Sequence, residues 1–114
     1  MKLEPIDRIE HIIDEIDFLA SHVAPIPFHV FSSDPALTRA ASYSVQIISE
    51  AVRHLPQHWL DEYREIAWRE IKGIGNFTRH EYASLRLRVI WEIATDRATE
   101  LKRVMQDMRR ANLS

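Results

Sequence analysis

Glycine occurs at two positions only, Gly73 and Gly75, in a chain of 114 residues, so long stretches carry no break of that kind. Through those stretches apolar residues recur at alternating spacings of three and four, which puts them on one face of a helix. Ile6, Ile9, Ile13, Ile16, Ala20 and Val23 make the first such stripe, with Pro5 suited to the opening turn. Residues 24–34 contain Pro25 and Pro27, which cannot continue a helix, and read as a loop. A second helix starts with Ser33 or Asp34 as cap and Pro35 at its first position. Its stripe is Leu37, Ala41, Ser44, Ile48, Val52 and Leu55, and it ends before Pro56. Residues 56–63 read as a short helical turn bearing Trp59, and a third long segment begins near Trp68 and runs through Ile71, Ile74 and Phe77. The last helix is the cleanest: Leu87, Trp91, Ala94, Ala98, Leu101, Met105 and Met108 follow a 4-3-4-3-4-3 spacing.

No strand alternation, repeat or low-complexity segment interrupts this pattern. Each stripe needs covering, and the simplest solution is an all-α fold. The expectation is a single domain over 1–114, an antiparallel four-helix up-and-down bundle with a short extra helix. Ile12, Leu19, Ile47, Ile90, Ile93 and Val104 broaden the stripes. A bundle this small has little interior for so many, which points to burial in a homodimer.

The absence of cysteine excludes disulfides and thiolate metal sites and favours a reducing compartment. Lys2 is soon followed by Glu4, Asp7 and Glu10, unlike a signal peptide, and no apolar run reaches the roughly 18 residues of a membrane span. A cytoplasmic protein with no membrane association is expected. The net charge of −2 argues against a protein that coats nucleic acid, but the charge is unevenly spread. Residues 1–34 balance to −5 and residues 64–90 to +3. Such asymmetry draws an anionic ligand to one region, although solvated helix faces account for the charges equally well.

The chemistry concentrates between Trp68 and Tyr82. Both glycines fall inside an expected helix, each costing about 1 kcal/mol relative to alanine. Either the backbone bends there, or another chain or ligand approaches closely. Gly-Ile-Gly as a phosphate-cradling loop lacks the preceding strand and the rest of that fingerprint. Asn76 and His80 are four apart and share a helical face. Histidine moves protons near neutral pH, and the Arg79 guanidinium offers fixed charge and planar donors for a phosphate. Asn76, Arg79 and His80 therefore suit phosphodiester chemistry that needs no metal and no cofactor; an exposed polar helix face is the plainer account of the same residues. His54 and His58 have helical metal spacing, but Pro56 separates them and no third ligand is apparent. His11, His22 and His29 have no partner pattern. Trp68 and Trp91 read as core anchors, Trp59 serves either role, and Met105 and Met108 simply continue a stripe.

The run Gly75-Asn76-Phe77-Thr78-Arg79-His80-Glu81-Tyr82 resembles the HepT-like branch of the HEPN superfamily, whose signature is arginine, four residues, histidine, any residue, tyrosine. The approach Ile66-Ala67-Trp68-Arg69-Glu70-Ile71-Lys72-Gly73 is similar to the start of that family's motif helix, Ile47-Ile48-Ser49-Glu50-Ala51-Val52 to its second helix, and the Trp91 region to its closing helix. The resemblance spans nearly the whole chain. It implies a HEPN-like helical homodimer whose motif helices meet across a cleft, and a metal-independent ribonuclease toxin acting on RNA. It also implies neutralisation by a companion nucleotidyltransferase of the MntA type, which adds AMP to the motif tyrosine. By position, His80 is then catalytic, Asn76 the polar residue beside it, and Tyr82 the acceptor of AMP.

One position departs. The family arginine falls at position 75, where this chain has Gly75, and Arg79 stands directly before His80. Positions 75 and 79 are one helical turn apart, and helical side chains lean toward the N-terminus. Arg79 can thus lie back over the space Gly75 leaves empty. Two functional expectations follow: an endoribonuclease with the arginine relocated, or a non-catalytic partner of a nucleotidyltransferase docking through Tyr82. A helical module whose motif is coincidental is the third.

Overall fold

The computed structural model describes residues 2–74 and 83–113, and every described element is helical. Helix α1 spans Pro5–His22, α2 Phe28–Ser32, α3 Pro35–Arg53, α4 Gln57–Leu60, α5 Trp68–Ile74 and α6 Ala83–Glu92; a π-turn over Ile93–Arg97 leads into α7, Ala98–Asn112. The expected all-α bundle is what forms. Phe77, expected to continue the third long segment, lies outside the described residues.

Local chemistry sets the helix ends. The Glu4 backbone N–H donates to the Asp7 carboxylate at 2.9 Å as α1 begins at Pro5, which occupies a donor the first turn would otherwise leave bare. Asp34 caps α3: its carboxylate accepts from the Leu37 N–H at 3.0 Å, with Pro35 in the first turn. The expected start of this helix is the observed one.

Two local expectations are corrected. Residues 24–34 are not all loop, because α2 forms within them. The Pro27 carbonyl accepts from Val30 and Phe31 at 3.1 and 3.0 Å, so the ring that cannot continue α1 can stand before a new helix. Phe31 becomes fully buried and drives the turn inward. On α1, Ala20 faces solvent, and the buried set is Ile9, Ile12, Ile13, Ile16 and Leu19. The larger side chains win the core face because they remove more apolar surface from water.

Helix α1 packs against α3 and α7. Arg8, near the start of α1, acts electrostatically on Glu50, near the end of α3. The Lys102 ammonium meets the Asp17 carboxylate at 2.6 Å, joining the start of α7 to the later half of α1. Both neighbours therefore run antiparallel to α1. In between, the buried Ser44 hydroxyl donates to the Glu15 carbonyl at 3.3 Å. From Ala83 to Asn112 the helical run is continuous apart from the π-turn, where the Thr95 hydroxyl donates to the Trp91 carbonyl at 2.9 Å. Such a bond competes with the main-chain ladder and favours the local widening.

Ile12, Leu19, Ile90 and Val104 are at most 1% exposed within a single chain. The crowding argument for a dimer is therefore corrected: the bundle absorbs these four, and Ile47 and Ile93 are half-buried. No helix of the described residues is long and apolar enough to cross a membrane.

Candidate active site

The sequence motif lies between the end of α5 at Ile74 and the start of α6 at Ala83. Gly75, Asn76, Arg79, His80 and Tyr82 are outside the described residues, but the elements leading into and out of them are described. Trp68 opens α5 and fixes its entry, its indole N–H lying 3.0 Å from both the Leu60 and the Tyr63 carbonyls. Trp91, near the end of α6, anchors that helix, donating to the Ile26 carbonyl at 2.9 Å and meeting Phe28 edge-on at 5.9 Å. Both are half-buried anchors whose polar edge is satisfied, as expected of them.

The far end of α5 is held by a contact that sequence reasoning missed. The carbonyl oxygen of Lys72 accepts from the Ser49 hydroxyl at 2.9 Å, from Arg53 Nε at 3.1 Å and from Arg53 Nη2 at 2.7 Å. Ser49 is 1% exposed, so α3 fastens the backbone of α5 from inside the bundle. Lys72 in turn donates through Nζ to Gln57 Oε1 at 3.2 Å, and Glu70 faces Arg97 at 3.6 Å. Nothing in helical periodicity marks Ser49 or Arg53 as a clamp. The one available signal was a serine on the apolar side of α3, a position that asks for a hydrogen-bond acceptor.

Gly73 is part of α5, and a Cβ built there meets no heavy atom within 4 Å. It also has no positive φ. Neither crowding by described residues nor backbone conformation accounts for this glycine.

Two openings flank this region. A cavity of about 420 Å³ between α3, α5, α6 and α7 has apolar walls including Ile48, Ile71, Ile74 and Leu101, and carboxylates at Glu65, Glu70, Glu92 and Glu100. Three of those carboxylates are paired with Arg103, Arg97 and Arg88. A shallower groove lies between α3 and α6 and carries Arg39, Tyr43 and Arg86.

Three of the other histidines have contacts elsewhere. His54 lies 2.9 Å from Glu50 Oε1, and this hydrogen bond outweighs an opposing desolvation and, with the charges of His54, Arg53 and Arg8, holds the Glu50 carboxyl below its usual range. His58 sits edge-on to Trp59 and His22 tilts over Phe18 at 5.0 Å. Among the described residues no group of three or more histidines and carboxylates is placed to hold a metal ion.

The fold is a small helical bundle in which an eight-residue polar motif falls between α5 and α6 along the chain. The chain belongs to the ribonuclease HepT-like family, whose model matches residues 12–108 and so takes in the whole motif. The resemblance to the HepT-like branch of the HEPN superfamily is borne out. A relative provisionally named an RNase in Caldanaerobacter subterraneus subsp. tengcongensis is 36% identical over 104 residues, covering 91% of this chain and 93% of that one. A protein of Thermococcus cleftensis provisionally named ribonuclease HepT is 26% identical over 110 residues, covering 96% and 100%. A third, from Methanocaldococcus jannaschii and provisionally named an RNase, is 24% identical over 106 residues, covering 90% and 84%. No solved structure matches the chain.

Proposed function

We propose that this chain is a metal-independent endoribonuclease, the toxin of a cytoplasmic toxin–antitoxin pair, acting as a single-domain subunit of a homodimer. The supporting observation is the family match, which runs through the motif and is accompanied by full-length relatives named as RNases. In the reaction, the His80 imidazole takes the proton of an RNA 2′-hydroxyl. The 2′-oxygen bonds to the adjacent phosphorus, the bond from phosphorus to the 5′-oxygen breaks, and the imidazolium returns its proton to that leaving oxygen. The products are a 2′,3′-cyclic phosphate and a 5′-hydroxyl. Arg79 steadies the charge on the non-bridging oxygens, and Asn76 is the polar neighbour of the imidazole. A nucleotidyltransferase of the MntA type transfers AMP to Tyr82, and the added bulk and negative charge obstruct RNA.

One observation favours a second reading. Gly75 occupies the position of the family arginine, and on that account the chain is a non-catalytic partner that a nucleotidyltransferase engages and modifies at Tyr82. Expression of the chain alone, with growth and RNA integrity as readouts, separates the two. Growth arrest with cleaved RNA, lost in His80→Ala, supports the ribonuclease. Intact RNA together with a mass increase at Tyr82 after incubation with the nucleotidyltransferase and ATP supports the partner reading.

A further inference from the structure

The groove between α3 and α6 is unlike the other surfaces described. Thr38, Arg39, Ser42, Tyr43 and Gln46 line it from α3, and Arg86 and Leu87 from α6, enclosing about 300 Å³. Arg39, Tyr43 and Gln46 follow the spacing of one helical face. Tyr43 is 67% exposed, more than Leu3, Val30 or Leu113, the other large apolar side chains exposed among the described residues. Neither Arg39 nor Arg86 has an ion pair or ring contact among the described residues, whereas Arg53 is bonded to the Lys72 carbonyl and Arg88 is shared between Glu92, Phe28 and Trp91. The sequence explains why: the positions one helical turn from Arg39 are Pro35 and Tyr43, and those from Arg86 are Tyr82 and Ile90, with no carboxylate at any of them. No described carboxylate lines the groove, in contrast to the cavity beside α5.

Two guanidinium groups with no counter-ion among the described residues, an exposed aromatic face between hydroxyl and amide groups, and no described acid in the lining are the parts of a single-strand binding surface. Phosphates meet the arginines and an unstacked base lies on the ring. Arg86 stands in the first turn of α6, four residues after Tyr82 in sequence, so the groove lies at the end of α6 that follows the motif along the chain. Resting on the ribonuclease reading, we infer that the α3–α6 groove binds single-stranded RNA next to the scissile site, with Arg39 and Arg86 taking consecutive phosphates and Tyr43 stacking on a base.

The test uses a labelled single strand of about ten nucleotides, 2′-O-methylated so that it cannot be cleaved, with binding read by anisotropy across a salt series. Tyr43→Ala is expected to weaken binding about tenfold, while Tyr43→Phe keeps it, since the ring and not the hydroxyl stacks. Arg39→Ala and Arg86→Ala are each expected to flatten the slope of log affinity against log salt by about 0.7. A duplex of the same sequence should bind less well, because its bases are already stacked. Sedimentation of each variant checks assembly. Unaltered affinity and salt slope in all three alanine variants, with wild type still cleaving RNA, overturns the groove and leaves the ribonuclease standing. Loss of dimer in Tyr43→Ala or Arg39→Ala overturns it in favour of a contact between copies of the chain. A wild type that binds the strand through the groove but never cleaves RNA upholds the groove and removes the nuclease.

Discussion

Ser49 and Arg53 share a single acceptor, the Lys72 carbonyl, and this makes a quantitative forecast possible. Ser49→Ala removes the neutral hydrogen bond to this oxygen from a buried site, a loss of about 1 kcal/mol from that bond. Arg53→Ala removes the two charge-assisted bonds to this oxygen and the ion pair with Glu50, but its side chain is 37% exposed, and solvent screening brings the expected loss down to about 1–2 kcal/mol. Because either donor can tighten on the oxygen when the other is gone, the double variant should lose more than the two single losses combined, by about 0.5–1 kcal/mol. For a domain of this size each kcal/mol moves Tm by about 4–8 °C, so thermal unfolding followed by circular dichroism resolves the cycle. Lys72 stands three residues before Gly75, and the same pair should therefore affect turnover. Cleavage by folded single variants is expected to fall in kcat with KM little changed, since a loosened helix end misplaces groups already bound to substrate. Strict additivity in the cycle would show that the two side chains do not act through one oxygen. Unaltered kcat would show that the clamp stabilises the bundle without positioning the motif.

Other expectations concern the scaffold. Met105 is fully buried, and Met105→Ala should lower stability by about 2–5 kcal/mol in denaturant unfolding; a loss under 1 kcal/mol would mean that the α1–α7 seam closes over the gap. Trp91→Phe keeps the ring beside Phe28 but leaves the Ile26 carbonyl without its 2.9 Å donor, a loss of about 1–3 kcal/mol detectable as a lower Tm, whereas an unchanged Tm would mean that water replaces the bond. Glu50 is held below its usual range chiefly by the hydrogen bond from His54. Its stabilisation is complete above the carboxyl's unfolded pKa and disappears as pH falls through the lower folded value. The Tm gap between wild type and Glu50→Gln should therefore narrow on acidification, and a gap that is the same at neutral and acid pH argues against this pairing.

The long helices were legible because their stripes are long and their ends are chemically marked, Asp34 with Pro35 at one and Pro56 beyond another. What escaped was shorter than a period or depended on distant residues. Helix α2 has one fully buried residue, Phe31, too little for a pattern, and the prolines around it carried the opposite signal. The π-turn follows from a hydroxyl of Thr95 reaching back one turn, which leaves the 4-3 apolar spacing undisturbed. The number of apolar flanking residues suggested a second subunit because a bundle's capacity cannot be judged from stripes alone; Ile12, Leu19, Ile90 and Val104 found room through the packing of α1 against α3 and α7. The motif was legible as residue types at fixed spacing, whereas the clamp on α5 joins positions 23 and 19 residues apart and no local reading finds it.

The exchange of arginine for Gly75 permits a decisive rescue. If Arg79 leans back one turn and supplies the missing guanidinium, its charge is required and its attachment point is not. Arg79→Ala should then reduce cleavage by about 10²–10³, the usual effect of removing a transition-state charge stabiliser. Adding Gly75→Arg to that variant should restore most of the lost rate, because a side chain from position 75 reaches the same space directly. No described atom lies within 4 Å of a Cβ at Gly73, so Gly73→Arg serves as a control that adds the same charge elsewhere and should restore nothing. Single-turnover cleavage of one RNA by all four proteins gives the comparison. Full activity in Arg79→Ala removes the relocated arginine outright. A loss that Gly75→Arg cannot repair makes Arg79 specific to its own position, and the chain's departure from the family signature then becomes a different catalytic arrangement and not a displaced copy of the usual one.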